Sequence, residues 1–142
     1  MVQQLSVFLQ NERGKLAAIT RALADGGIDI RALSIADTTD FGILRMLVSD
    51  TGLAKRILEE QHYAAGITAV VVVAVPDVPG GLAGVLSLMA GGGIDIEYMY
   101  SLIGRGEKKA YMVFRVSDEE KLLRLLAENG VDTISDEELD IR

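Results

Sequence analysis

Two loops carry the residues needed to grip a small zwitterion: Asn11-Glu12-Arg13-Gly14-Lys15-Leu16 and Asp77-Val78-Pro79-Gly80-Gly81-Leu82. In each, a glycine stands just before apolar residues at helical spacing. A glycine there lets unpaired backbone N–H groups approach an anion, and the helix dipole favours a carboxylate at that end. Asp77 stands beside the second such point and can hold an ammonium group. A site for a carboxylate next to one for an ammonium is what an α-amino acid requires. The first loop has Asn11 where the second has Asp77, so its bond to an amine lacks charge assistance and is weaker. Arg13 and Lys15 would favour a second carboxylate instead. Each loop also has a plainer reading, a strand-to-helix turn whose polar residue caps the helix.

Nothing comparable points to catalysis. The chain has no Cys, which excludes disulfides, thiolate chemistry and Cys-based metal sites and fits a reducing cytoplasm. Its single His, His62, falls near the end of a predicted helix, where the helix terminus favours a polar or cationic ring. No second His offers a metal pair and no triad pattern surrounds it. The carboxylates at 118–120 and 136–138 read as a helix start and solvated faces. Lys108-Lys109 reads as an exposed turn. Tyr98, Met99 and Tyr100 could line a pocket, but strand residues in alternation more often serve core and interface. The expectation is no enzyme, no cofactor and no metal.

Composition narrows the partners. Lys and Arg number 14 against 21 Asp and Glu, a net charge of -7, which disfavours a phosphate-tracking surface and hence nucleic acid. The chain is 49% hydrophobic and 25% charged, as globular domains are. With 5% aromatic residues and no Trp, the core must come from Val, Ile, Leu, Met and Ala. The longest apolar run, residues 67–75, is about half of what a membrane helix needs. Its Val-rich content reads as a buried strand. The start, Met1-Val2-Gln3-Gln4, lacks the basic and apolar regions of a secretory signal. A soluble, cytoplasmic protein without membrane contact is expected.

The loops sit in a repeat. Gly-Gly-Ile-Asp-Ile occurs at residues 26–30 and again at 92–96. Leu16 matches Leu82, Ile19 matches Val85 and Leu23 matches Met89, all at the offset that relates Gly14 to Gly80. After a longer turn in the second copy, Leu44 matches Met112 and Val48-Ser49-Asp50 matches Val116-Ser117-Asp118. Two domains, 1–69 and 70–142, are therefore expected. Each opens with a strand (residues 2–9; 70–75), then a helix, then the glycine pair. A glycine just past a helix takes the left-handed conformation that ends it without a Cβ clash, so the repeated five residues read as a helix stop and a strand start. A hairpin follows in each copy, with Thr38, Thr39, Asp40 and Gly42 in one turn and residues 104–108 in the other. Ser117 with Glu120 reads as a capping box opening the last helix. The final strand is weak, and residues 136–142 are expected to fray. The order is β-α-β-β-α-β, twice: an α+β fold of antiparallel sheets with helices on one face.

Asp77-Val78-Pro79-Gly80-Gly81-Leu82, closing at Gly92-Gly93-Ile94-Asp95-Ile96, resembles the ACT domain, a regulatory amino-acid-binding module with a ferredoxin-like fold. The resemblance covers the whole chain as two tandem copies, like the small stand-alone bacterial ACT–ACT proteins. It implies an amino acid bound where one copy's first loop meets a neighbouring copy. Asn11, Arg13, Gly14, Lys15 and Leu16 of the first loop and Asp77, Val78, Pro79, Gly80, Gly81 and Leu82 of the second are the candidate ligand residues. The segments after the glycine pairs, Asp29-Ile30 and Asp95-Ile96, would lend backbone groups. The first loop departs from the family pattern, with Asn11 in place of an acid and Arg13 in place of Pro. The resemblance also implies allosteric regulation, through a homodimer or a metabolic-enzyme partner. A ligand-free docking module is the alternative, since acetohydroxyacid synthase has ACT-bearing subunits of that general kind.

Overall fold

Alternation of apolar and polar residues begins the chain as a strand, β1 (Val2–Gln10), with Leu5, Val7 and Leu9 buried on one face. The structure, a computed structural model, describes residues 1–37, 40–103 and 109–142. The turn residues Thr38 and Thr39, the turn at 104–108 and Lys108 lie outside the described residues. After β1 come α1 (Lys15–Asp25), β2 (Ile30–Asp37), β3 (Phe41–Val48) and α2 (Thr51–Glu60). Strand β4 (Ala64–Pro76) is one run of 13 residues that closes the first copy and opens the second. Then follow α3 (Gly81–Gly91), β5 (Ile96–Ser101), β6 (Lys109–Val116), α4 (Glu119–Glu128) and a two-residue β7 (Thr133–Ile134).

The chain forms two compact units, residues 3–68 with 136–142, and residues 69–135 with 1–2. In the first, β2, β3 and β1 lie side by side and antiparallel, with Val7 opposite Leu44. In the second, the order is β7-β4-β6-β5, also antiparallel, with Val73 opposite Met112. These are the same positions of the repeat, so the sequence match is a match of register. Each unit is an antiparallel sheet with its two helices on one face. The first core joins Leu5, Val7, Leu44 and Met46 to Ile19 and Leu23 of α1 and Leu58 of α2. The second joins Val71, Val73 and Phe114 to Val85 and Met89 of α3 and Leu122 and Leu126 of α4.

The glycine pairs end α1 and α3 as expected, with their two members dividing the work. The second glycine of each pair is left-handed, Gly27 at φ 75° and Gly93 at φ 73°. Ile28 N–H then reaches back to Leu23 O at 2.9 Å, as Ile94 does to Met89 O at 2.9 Å, which closes the last turn. The first glycine of each pair stands against the end of a side chain from the other helix of its unit. A Cβ on Gly26 would meet Ile57 at 2.4 Å, and one on Gly92 would meet Leu125 at 2.5 Å.

Two expectations are corrected. The cap of α4 is Asp118, whose carboxylate accepts the Lys121 N–H at 3.0 Å, and the pairing of Ser117 with Glu120 is not the capping arrangement. Ser117 N–H is already given to Asp95 O, so it is not open to the Glu120 side chain as a capping box requires, and the next residue caps. Asp50 caps α2 in the same way. Residues 136–142 do not fray. Leu139 and Ile141 are buried, and Arg142 exchanges backbone hydrogen bonds with Ser49 and Thr51 in the first unit.

Candidate functional site

Both loops reach their helices through a left-handed glycine with nearly one geometry, Gly14 at φ 86° and Gly80 at φ 85°. The glycine itself is the N-cap, and no side chain caps either helix, so Asn11 and Asp77 do not play that part. Asp77, Val78 and Pro79 are exposed, and Asp77 makes no hydrogen bond or ion pair with any described residue. Gly81 N–H turns back to Val78 O at 3.0 Å, while Leu82 packs against the second core. In the first loop, Asn11 N–H donates to Asp40 O, Lys15 stands 4.0 Å from Glu12, and Arg13 and Leu16 are exposed.

A cavity of about 360 Å³ opens beside the second loop, lined by Gly80 and Gly81 at the start of α3 and by Gly84, Val85 and Leu88 along it. Ala74 and Pro76 at the end of β4, Lys109 at the start of β6, and residues 130–132 ahead of β7 complete its wall. In that wall Lys109 Nζ and Asp132 Oδ2 form an ion pair at 3.5 Å. Neither residue stood out as a candidate in the sequence, and Lys109 read as an ordinary turn residue. The repeat held the signal: at the matching positions the first copy has Phe41 and Ala64. Gly81 is demanded by close approach, since a Cβ there would fall 1.9 Å from Pro76 O. Gly84 has open space where its Cβ would stand.

Other expected contacts do not gather at this cavity. Asp95 and Ile96 follow the far end of α3, whose 11 residues span about 16 Å. Within one unit, no small ligand touches both the loop and that segment. The carbonyls of Asp29 and Asp95 are taken by Ser49 and Ser117 N–H groups, Ile30 packs against the first core, and Ile96 is partly exposed.

A second cavity, of about 300 Å³, lies where residues 136–142 meet the first unit. The Arg31 side chain, only 9% exposed, donates to Leu139 O at 3.1 Å and Asp140 O at 3.2 Å and pairs with Asp29. The cavity is polar, and the Arg31 guanidinium beside it is already engaged by these internal partners. His62 stands in the left-handed region at φ 69°, just past α2, where the second copy has Gly130 at φ 69°. Its place is a helix end. Among the described residues no group of three or more His, Asp or Glu could hold a metal ion, and no helix is long and apolar enough to cross a membrane.

Comparison with known proteins places this geometry. No curated protein matches the chain. Among solved structures, protein BT0572 from Bacteroides thetaiotaomicron is 42% identical, with 98% of this chain and 95% of that chain covered and a TM-score of 0.91. The ligand-free regulatory subunit of aspartate kinase from Thermus thermophilus shares the fold at 18% identity and a TM-score of 0.64, over 89% of this chain and 91% of that one. The corresponding subunit from Thermus flavus gives 18% and 0.58, over 89% and 90%. The family model of the ACT domain pair matches residues 1–141. The chain belongs to the ACT domain family, as a tandem pair of ferredoxin-like βαββαβ units.

Proposed function

We propose that this protein is a non-catalytic regulator that binds an amino acid at the second loop and passes the binding on through a change in its own pairing or that of a metabolic enzyme. Family membership supports a regulatory, small-molecule-binding role. The observation that carries the finer reading is the cavity, which joins the Gly80–Gly81 turn at the N-terminus of an 11-residue helix to one cation and one carboxylate. Backbone N–H groups and Lys109 suit the ligand's carboxylate, while Asp132 suits its ammonium. Binding regulates only if the ligand prefers one arrangement of the protein over another.

A melting screen against the common amino acids tests this, with calorimetry on every hit. A ligand at a hundred times its dissociation constant adds about 2.7 kcal/mol to stability. Substitution at Gly80 is a poor control, because its left-handed backbone strains any side chain. Gly84→Leu is the better one: it keeps the helix and puts side-chain atoms into the cavity. The expected result is a melting shift with one group of amino acids, lost in Gly84→Leu. A hit that survives Gly84→Leu would move the site elsewhere.

A second reading, the docking module without a ligand, is favoured by one observation. On the sheet face of the first unit away from its helices, Phe8 is 56% exposed and Phe41 62% exposed. Phe8 stands opposite Ile43, so the two rings are diagonal neighbours across the β1–β3 pair. Exposed neighbouring rings of this kind mark interaction surfaces when they form a contiguous patch.

A further inference from the structure

We infer that the cavity beside α3 takes one small aliphatic α-amino acid per chain, its carboxylate on Lys109, its ammonium on Asp132 and its side chain against Val85, Leu88 and Val131. This rests on the second loop being the ligand site, and adds to it the head-group residues, the side-chain class and the stoichiometry.

Size comes first. At about 360 Å³ the cavity lies near the lower end of the range of about 300–1,000 Å³ for small-molecule pockets, so it suits a ligand of amino-acid size. The wall decides the side chain. Apart from Lys109 and Asp132, the lining among the described residues is glycine, alanine, proline, valine and leucine, with no hydroxyl, amide or aromatic ring. A polar ligand side chain would give up water there and gain no partner, whereas an aliphatic one is favoured by leaving water. The head group follows from the charged pair that the described residues place there. Lys109 and Asp132 are 49% and 73% exposed, and an ion pair so open to solvent contributes little by itself. A zwitterion replaces that contact with two charge-assisted hydrogen bonds, one to each residue.

The repeat fixes the number. Pro76 pairs with Lys109 as Gln10 pairs with Phe41, so these positions are structurally equivalent. Asp132 corresponds to Ala64, and the glycines Gly130, Gly84 and Gly81 correspond to His62, Ala18 and Lys15. The first unit therefore lacks the charged pair, and it has the large side chains of His62 and Lys15 where the second has Gly130 and Gly81. The duplicated fold retains one head-group site.

Calorimetry on the full chain tests all three parts, with leucine, valine, serine and asparagine as ligands and isocaproate as a leucine analogue lacking the ammonium group. Leucine or valine is expected to bind once per chain, at least about tenfold tighter than serine or asparagine. Asp132→Asn is expected to weaken leucine about tenfold while leaving isocaproate unchanged, and Lys109→Gln to weaken both. Both positions are exposed, and melting curves of the free variants verify that each is folded. Two leucines per chain, or leucine affinity unchanged in both variants, would overturn the head-group assignment. A preference for serine or asparagine that Gly84→Leu abolishes would overturn the aliphatic class and leave the loop reading standing. If no amino acid binds, both readings fall.

Discussion

Individual glycines and one histidine show how backbone conformation was settled differently in the two copies. Gly130 and His62 occupy the same left-handed position after the second helix of each unit, and only the glycine does so without a Cβ penalty. His62→Gly should therefore stabilise the protein by about 1 kcal/mol, measurable as a higher urea midpoint with an unchanged slope. A loss of stability would show that the ring makes a compensating interaction. Gly81→Ala should do the opposite. Its Cβ would fall 1.9 Å from the Pro76 carbonyl oxygen, so backbone must move, at a cost of about 2 kcal/mol. That the glycine pairs stop helices was readable from their place after a periodic apolar run. That Gly26 and Gly92 also make room for Ile57 and Leu125 was not, because the packed residues lie over thirty positions away in the chain.

Among the elements, the segment at 136–142 departs most from expectation. Its acidic sequence, Asp136-Glu137-Glu138-Leu139-Asp140, suggests a solvated end, yet Leu139 is 2% exposed and the Arg31 side chain donates to the consecutive carbonyls of Leu139 and Asp140. Two apolar residues among five charged neighbours form no periodic pattern, so only the partner surface reveals their burial. Leu139→Ala should cost about 2–3 kcal/mol by leaving a cavity, and the loss should appear in the unfolding of the first unit, followed by hydrogen exchange of residues 3–68. If exchange there is unchanged, the docked segment contributes nothing to that unit. The elements of the repeat were more legible. Strand alternation and helical spacing act within a few residues, whereas the cap of α4 was misplaced by one residue, because Ser117 with Glu120 has the local spacing of a capping box and only the backbone shows Asp118 in that role.

For the chain as a pair, duplication allowed the two units to diverge. The second has the cavity with Lys109 and Asp132; the first has Phe8 and Phe41 on an open sheet face. If the docking reading holds, Phe8→Ser with Phe41→Ser should abolish co-purification of a metabolic enzyme. Exposed positions alter folding little, so stability should stay within about 0.5 kcal/mol per site. If the enzyme still co-purifies with the double variant, that face is not its docking surface.

The sequence by itself determined the order of strands and helices, the duplication, the stops of α1 and α3 and the family, because those features are written in local periodicity and in glycine. Tertiary structure alone decided where residues 136–142 pack, which glycine of each pair stands against a distant side chain, and that Lys109 and Asp132 meet beside α3. The physical reason is one and the same. Each of these depends on side chains brought together from distant parts of the chain, and neither residue type nor spacing announces such a meeting until the sheet fixes the register.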